Sequence, residues 1–503
     1  MNINKFFMES KMNLKEKLNS KHFALRIIPI VFIGIMLLSS IFLSYSDDLF
    51  KIIVTITVYT CSLLWFGKKY DAPLIPFLLL VIGALSFGRD FSWMHVSIKG
   101  ISLFVTEIAI GLSLVMLALK WKQRLVEWRS PLPRGLSIPM LVYFFLGGLY
   151  MAIGFLGNGM AASRDIVFCL YMVIFFITLS LLSDPPKFQF ILRYLLPAVG
   201  VFLSMIIILY FVRIPHEKVF KQVTIELKMN NIGLYGGLIF IFGLSFFTFV
   251  KKRIRPLLAL VIYLALLFII MAEVRASWAG LLIIFIFLGI LLKKEFRLFY
   301  LVFPLMVISI ITIDYFGLSI RKDKLENIGE RLTSMVKYQK NTMPAANIRW
   351  RLDIWGQTIK EIRKEPVFGW GYGIQIDYLV WKKRLSYLKS IGINTGILPP
   401  HNHLLAVTYK MGIIGLLLFL YINGRIFFFG LKHVKKLKSE YNRRFLIASL
   451  AGLLYWHGMA FFFDILESPP TSIFLWILLA AILATVHIDK STVKIEQPLT
   501  NVF

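Results

Sequence analysis

Long apolar runs recur along this 503-residue chain and constrain its fold more than any other feature. A run of about 20 apolar residues spans the hydrocarbon core of a bilayer as a helix, because lipid offers the backbone no other hydrogen-bond partner. Since 58% of the residues are hydrophobic and 17% are charged, the chain carries more apolar surface than a soluble core could bury. We therefore predict an all-α, polytopic membrane protein with 12–14 transmembrane helices. The apolar runs lie near residues 27–45, 49–66, 72–88, 101–119, 137–156, 165–182, 194–212, 231–250, 256–273, 276–292, 298–316, 404–424, 445–463 and 472–487.

Lys and Arg residues concentrate in every second connection between these runs, and this pattern predicts the orientation. Short loops rich in Lys and Arg stay in the cytoplasm, so both termini are expected there. The formal net charge of +29 then follows from orientation and from contacts with lipid headgroups, and no nucleic-acid partner is expected. The basic connections include 15–26, 68–69, 120–134, 251–255, 293–297 and 432–444, and the intervening ones include 44–50, 157–165 and 464–470.

The apolar runs divide the chain into five predicted parts. These are a cytoplasmic tail at 1–26, a transmembrane bundle at 27–316, a large extracytoplasmic loop at 317–403, C-terminal transmembrane helices at 404–487 and a cytoplasmic tail at 488–503. The first run has no small-residue cleavage site after it, so we expect a retained first helix and no removed signal peptide. Cys61 and Cys169 lie in different predicted spans, which argues against a disulfide framework and against a thiolate metal site.

The large loop carries fifteen Lys or Arg residues against seven Asp or Glu residues. Long loops cross the membrane largely regardless of charge, so this excess indicates an anionic ligand at the outer face. Within the loop, apolar residues recur at the spacing of an amphipathic helix from Ile348 to Ile362 that stops at Pro366. Arg351 and Trp355 share one face of this helix. Either they serve a ligand, or they anchor an interfacial helix at headgroup level.

Two further groups lie at the predicted outer face. Glu273 and Arg275 occupy the gap between two apolar runs, where Arg275 could pair with Glu273, reach the headgroups or bind phosphate oxygens with its planar fork. His401 and Asn402 follow two prolines directly at the start of another span. Pro and Asn are usual helix-start residues, so helix initiation explains Asn402 and leaves His401 unexplained.

These groups fall into four motifs with a fixed order along the chain. They are an Arg at the outer turn between two helices (Arg275), Arg-x-x-x-Trp in a large outer loop (Arg351, Trp355), Pro-x-x-Gly-x-Gly (Pro366, Gly369, Gly371), and His-Asn opening a helix before Gly-x-x-Gly (His401, Asn402, Gly412, Gly415). Over roughly residues 230–470 the chain thereby resembles the O-antigen ligase and O-antigen polymerase superfamily of bacterial membrane glycosyltransferases. The alternating glycines, continued by Gly373, also predict a tight turn where backbone approaches a ligand or another segment.

The resemblance implies a GT-C-like fold and the transfer of a glycan at the outer face of the bacterial cytoplasmic membrane. The donor would be an undecaprenyl-pyrophosphate-linked glycan, and the acceptor lipid A-core in a ligase or another lipid-linked repeat in a polymerase. Inversion at the anomeric carbon, without a metal or other cofactor, is also implied. Arg275 and Arg351 would stabilise the pyrophosphate leaving group, and His401 would act as the general base. The expected substrate-binding residues are Asn402, Trp355, Arg349 and Asp464.

Several assignments stay open at the level of single residues. Val274 stands where many relatives have Ser, which leaves the hydrogen bonding next to the first arginine undetermined. Arg349 could share the role of Arg351. His403 competes with His401, although two residues apart on a helix they point in different directions.

A late apolar run carries two more polar residues. His457 and Asp464 are seven residues apart, so one helical face is expected to hold both. Asp464 could orient a histidine or the acceptor, and an acidic residue in this helix also resembles the family. His457 could equally be a buried packing residue.

Two rival functions remain. Asp47 and Asp48 in the first outer loop could hold Mg²⁺ or Mn²⁺, as in a metal-dependent oligosaccharyltransferase, although orientation alone also produces a short acidic outer loop. A lipid-linked oligosaccharide flippase is the other rival. Transporters of that kind tend to have internal repeats and charges near the midplane, whereas the informative charges of this chain gather at one face.

Overall fold

The structure is a computed structural model. It describes Val81, 95–98, 101–119, 132–133, 135–183, 229–271, 274–292, 343–374, Ile376, 400–463, Leu466 and 468–491. A hairpin pairs β1 (His95–Ile98) with β2 (Ile101–Phe104), and a 3₁₀ helix covers Gly159–Phe168. The α-helices are α1 (Val105–Leu119), α2 (Ser137–Asn158), α3 (Met172–Leu182), α4 (Met229–Phe246), α5 (Arg255–Met271), α6 (Arg275–Leu291), α7 (Met343–Ile362), α8 (His403–His433), α9 (Glu440–Ala460) and α10 (Pro469–Ser491).

The described part of the chain is mostly helical, as the apolar runs predict. Three of its helices are long and apolar enough to cross a membrane, namely Ser137–Asn158, His403–His433 and Thr471–Asp489. Five shorter apolar helices lie in α1, α3, α4, α5 and α6. The predicted runs at 27–45, 49–66, 194–212 and 298–316, and all of 72–88 except Val81, lie outside the described residues. The total number of spans and their orientation therefore stay predictions.

The prediction of an all-α chain is wrong at the β1–β2 hairpin. Val96 pairs with Leu103 and Ile98 with Ile101, so only Lys99 and Gly100 separate the strands. A two-residue connection that ends in Gly, flanked by β-branched residues, is a hairpin signal that the apolar run at 101–119 concealed. The helix predicted there begins at Val105.

Other predicted boundaries also shift. The run at 165–182 begins in the 3₁₀ helix, and its α-helical part contains 11 residues. Helix α8 continues to His433, whereas α9 ends at Ala460. The amphipathic helix of the large loop is confirmed, and it begins five residues earlier than predicted, at Met343.

Helix α9 lies at the centre of the described bundle and packs against α4, α6 and α10. The Tyr455 ring enters because Gly237 on α4 and Gly280 on α6 present no side chain to it. Its hydroxyl donates to the Gly233 carbonyl oxygen at 2.7 Å, which satisfies a buried polar group. Small residues allow helices to approach closely, so these glycines set the spacing of the three helices.

The end of the bundle where α9 begins is held by a polar cluster around Asp489. Its carboxylate accepts from the Lys438 and Ser439 amides at 2.9 and 3.0 Å and from Asn442 Nδ2 at 3.1 Å. Arg444 donates to the Ser245 carbonyl oxygen at 2.9 Å. These bonds join α10 to the connection between α8 and α9, and both α10 and α4 to the first turns of α9. This region is one of the predicted cytoplasmic loops, 432–444.

Helix α8 is interrupted at Gly412, whose φ of 65° and ψ of −171° are not helical. Residues 366–374, here called the strap, follow α7 and lie against this break. Trp370 N donates to the Tyr409 carbonyl oxygen at 2.8 Å, and Gly371 N to that of Lys410 at 3.0 Å. The strap thus supplies hydrogen-bond donors to carbonyl groups that an unbroken helix would satisfy by itself.

The glycines of the strap have the role that their alternation predicts. Gly369, Gly371 and Gly373 all have positive φ, between 70° and 82°. A Cβ on Gly373 would lie 2.7 Å from the Asn158 Cβ, so the strap also packs tightly against the end of α2. The prediction that backbone approaches another segment here is confirmed.

A buried ion pair fixes the far end of the strap. Lys410 Nζ lies 2.7 Å from Asp165 Oδ2, with each side chain 7% exposed. Lys410 also donates to the Ile374 carbonyl oxygen at 2.6 Å, and Gly373 N donates to Asp165 Oδ2 at 2.7 Å. The pair therefore connects the 3₁₀ helix, α8 and the strap.

Candidate functional site

The turn at His401 and Asn402 begins α8. Asn402 is the N-cap residue, and its side-chain oxygen accepts from the Leu404 and Leu405 amides at 2.9 and 3.1 Å. His401 has a φ of 52°, and it is the one residue other than glycine with positive φ in the described part of the chain. Non-glycine residues in this conformation are uncommon and concentrate at functional sites. The predicted helix-start role of Asn402 is confirmed.

Helix α7 packs against this turn through the face that carries Arg351 and Trp355. The Trp355 indole donates from Nε1 to the Pro400 carbonyl oxygen at 3.0 Å, directly before His401. The same indole packs on Phe461 and Phe462, with ring centroids 5.7 and 6.4 Å away. One side chain therefore connects α7, the residues before α8 and the end of α9.

Arg351 lies one turn before Trp355, against the same segment after α9. Its guanidinium carbon is 4.9 Å from the centroid of the Phe463 ring, which is cation–π geometry. The guanidinium lies over an aromatic face, and this contact restricts its orientation. The structure thus places Trp355 against the residue before His401 and Arg351 against Phe463, in the segment after α9.

Helix α6 begins at the same end of the bundle. Ser277 in its first turn donates to Met459 Sδ at 3.1 Å, and Met459 lies in the last turn of α9. Arg275 is the first residue of α6, and its side chain lies outside the described residues. Val274 before it is extended and supplies no side-chain cap to the helix. The amide groups of a helix N-terminus form a site that favours anions.

A buried polar group lies next to the turn, on the inner side of α8. His403 Nε2 and His457 Nδ1 are 3.2 Å apart, and His457 Nε2 is 3.2 Å from Asn423 Oδ1. The His403 ring is also surrounded by the rings of Phe419 and Trp456, at 6.0 and 5.8 Å. The His403 side chain therefore points into the bundle, and its contacts differ from those expected of a general base, the role predicted for His401.

For the other predicted site residues, the structure describes either the backbone alone or nothing. Arg349 belongs to α7 by its backbone, and its side chain is outside the described residues. Asp464 lies outside them altogether, as do Glu273, Asp47 and Asp48. The expectation that one helical face carries both His457 and Asp464 is wrong, because α9 ends at Ala460.

Two of the contacts at this end have no signal in the sequence. Asp165 lies in a segment predicted to be an outer loop and the start of a span, and nothing in its surroundings indicated Lys410 as its partner. The sequence likewise does not predict the pairing of His403 with His457.

In the strap, burial raises the pKa of the Tyr372 phenol well above its usual value, so Tyr372 acts as a neutral donor to Met411 Sδ at 3.4 Å.

Among the described residues, no side chains are arranged as the ligands of a metal ion. No group of three or more His, Cys, Asp or Glu side chains comes together there. The residues proposed for a metal-dependent reaction, Asp47 and Asp48, are outside that part of the chain.

Comparison with known proteins agrees with the motifs. Residues 258–420 match the family described as O-antigen ligase, which confirms the resemblance to the O-antigen ligase and polymerase superfamily. The match includes α6, α7, the strap and the first half of α8. An uncharacterized protein of Haemophilus influenzae strain Rd is 24% identical over 266 residues, which are 51% of this chain and 64% of that relative. The chain thus covers less than two thirds of the length of this relative.

Proposed function

We propose that this chain, which carries the O-antigen ligase match over residues 258–420, is a membrane glycosyltransferase of surface-polysaccharide synthesis. It transfers a glycan from an undecaprenyl-pyrophosphate donor to a sugar hydroxyl at the outer face of the bacterial cytoplasmic membrane. The acceptor is lipid A-core if the chain is a ligase and a lipid-linked repeat if it is a polymerase. The observation that carries the proposal is the contact inside the matched region between Trp355 of α7 and Pro400, directly before the His401 turn.

The anionic leaving group would be bound by Arg351 and Arg275. As the bond between the anomeric carbon and the pyrophosphate oxygen breaks, negative charge develops on that oxygen. Fixed guanidinium groups stabilise such charge without having to reorganise. The orientation of Arg351 on the Phe463 ring and the N-terminus of α6 at Arg275 both favour an anion at this end of the bundle.

His401 would act as the general base. An imidazole exchanges a proton readily near neutral pH, and the acceptor hydroxyl must lose its proton as its oxygen attacks the anomeric carbon. Attack on the face opposite the leaving pyrophosphate inverts that carbon. The proton passes to the His401 ring, and the pyrophosphate carries away the electron pair of the broken bond. Asn402 fixes the start of α8, and Trp355 fixes the residues before it. Arg349 and Asp464 remain proposed substrate-binding residues.

Protein side chains carry every step of this proposed reaction, so it requires no metal or cofactor. The metal-dependent alternative would use Asp47 and Asp48. A flippase, the other alternative, would move the lipid-linked glycan without forming a new glycosidic bond. Both alternatives predict outcomes different from those of metal-independent transfer.

The test is a reconstitution of the purified full-length protein with a polyprenyl-pyrophosphate-linked glycan, in EDTA, with and without lipid A-core. We expect wild type to give a glycan ladder or a core-linked product, and His401→Ala to lose at least about 100-fold in rate, the usual range for a missing general base. His433→Ala, at the opposite end of the same helix, is the matched control and should keep wild-type activity.

Each result has a distinct meaning. Loss of wild-type activity in EDTA would overturn the metal-independent mechanism and direct attention to Asp47 and Asp48. Full activity of His401→Ala would show that another residue is the base. Movement of the donor across the membrane without any product would favour a flippase.

A further inference from the structure

The buried residues His403 and Asn423 and the half-buried His457 form one hydrogen-bonded series between α8 and α9, and the proposed reaction assigns none of them a step. The two contacts in this series are both 3.2 Å long. His403 is 3% exposed and Asn423 is 5% exposed. Buried polar groups of this kind favour one arrangement strongly, because breaking any one bond leaves an unsatisfied partner in apolar surroundings.

The direction of each hydrogen bond follows from Asn423. Its Nδ2 donates to the Phe419 carbonyl oxygen at 2.8 Å, which orients the amide so that Oδ1 faces His457. His457 must then donate from Nε2 to that oxygen and accept at Nδ1. His403 consequently donates from Nε2 to His457. Each ring therefore has one tautomer and one orientation in this series.

This series of hydrogen bonds ends at His403, two residues after His401. The left-handed backbone at His401 needs fixed neighbours on both sides. On the preceding side, Trp355 holds the Pro400 carbonyl oxygen. On the following side, the Asn402 cap holds the first turn of α8, and the His403 ring anchors that turn to α9. A strained residue persists only where its surroundings determine its conformation.

We propose that His403, held by His457 and Asn423, is the positioning residue of the catalytic turn. It acts through the backbone at His401 and contacts neither donor nor acceptor. The inference rests on the proposed function, because it assumes that His401 takes part in glycan transfer. It predicts that the donor N–H at the Nε2 position of residue 403 matters for turnover, whereas titration of that ring does not.

The test compares two substitutions at residue 403 in the reconstituted full-length enzyme. In His403→Gln, the side-chain amide nitrogen can occupy the place of Nε2 and donate to His457. In His403→Phe, the ring shape remains and the donor is lost. We expect His403→Gln to keep kcat within about threefold of wild type, and His403→Phe to lower kcat at least tenfold with KM for the donor unchanged.

Two controls separate positioning from general stability. Asn442→Leu removes a buried hydrogen bond between α9 and α10 at the opposite end of the bundle, and it should not reproduce the loss of kcat. In a His401→Ala background, adding His403→Phe should lower the residual rate no further. Thermal unfolding of each purified variant shows that the compared proteins are folded.

The outcomes distinguish this inference from the proposed function. An inactive wild type would overturn the proposed function itself. An active wild type with an equally active His403→Phe would overturn the positioning role alone. Equal losses in His403→Gln and His403→Phe would also overturn it, because they would show a need for a titrating ring. A further tenfold loss on top of His401→Ala would show that His403 acts independently of His401.

Discussion

Lys410 and Asp165 carry opposite charges in a place where neither would be stable alone. Their side chains are each 7% exposed and 2.7 Å apart. Removing one partner of a buried pair leaves an uncompensated charge, which usually costs about 3–5 kcal/mol. Replacing both by apolar groups of similar size is often nearly neutral. At the scale of single residues, this pair is the clearest target for a stability measurement.

We expect Asp165→Leu and Lys410→Met each to lower the free energy of unfolding by about 3 kcal/mol, and the double variant to lose less than either. The double variant still lacks the bonds from Gly373 and to Ile374, so its stability should stay below wild type. The measurement is denaturant unfolding of the purified protein in detergent. Additive losses in the double variant would contradict the described pairing.

The residue scale also shows which site features the sequence could predict. Asn402 was predictable as a cap, because capping depends on residue type and on the residues directly around it. The face shared by Arg351 and Trp355 was predictable for the same reason, since helical spacing determines it. The contact between His403 and His457 was not, because it joins residues 54 apart in the chain and depends on how two helices pack.

At the scale of elements, the break in α8 depends on Gly412. Its φ of 65° suits glycine, and a Cβ at this position would collide with the Val367 carbonyl oxygen in the strap. Gly424 lies further along the same helix, with nothing within 4 Å of an added Cβ. The two glycines therefore form a matched pair for substitution.

We predict that Gly412→Ala displaces the strap and lowers the free energy of unfolding by at least about 2 kcal/mol, through backbone strain and steric overlap together. Gly424→Ala should be neutral or slightly stabilising, since Ala favours helix. Limited proteolysis of the purified protein is the measurement, with faster cleavage in residues 366–374 expected for Gly412→Ala alone. Equal cleavage of the two variants would show that the strap does not depend on the break.

Local sequence patterns predicted helices α4 to α10, and most of the predicted ends lie within a few residues of the observed ones. The hairpin was missed because its residues are apolar and continue directly into α1, so length and hydropathy favoured one long helix. The strap's glycines predicted a close backbone approach, yet they could not identify α8 as the neighbour. That assignment requires the tertiary packing of α2, α7 and α8, which no local pattern contains.

At the scale of the whole molecule, the proposed catalytic residues gather at one end of the bundle and the Asp489 cluster lies at the other. Helix α8 has 31 residues, and an unbroken helix of that many residues would measure about 46 Å, about 16 Å more than the hydrocarbon core of a bilayer. The 22 residues from Gly412 to His433 alone would span it. We predict that the first turns of α8, with α7 beside them, lie outside the hydrocarbon, at the end of the bundle that holds the proposed catalytic residues.

Cysteine labelling in intact cells tests this arrangement. In a background with Cys61 and Cys169 replaced by Ala, Leu352→Cys on the exposed side of α7 should react with a membrane-impermeant maleimide added from outside. Leu417→Cys, which is equally exposed in the protein but faces lipid in this arrangement, should not react. Labelling of Leu352→Cys only after the cells are opened would place the catalytic end in the cytoplasm and contradict the predicted orientation.

The ion pair between Asp165 and Lys410 joins positions 245 residues apart in the chain. During synthesis the carboxylate is made long before its partner lysine, and α7 with the strap is made between them. The strap can be secured only after the ribosome has completed the start of α8, so a chain interrupted before Lys410 would contain Asp165 and the strap without the residue that joins them. The contacts that hold the strap therefore form late in the biogenesis of this protein, and a chain that ends before Lys410 lacks them.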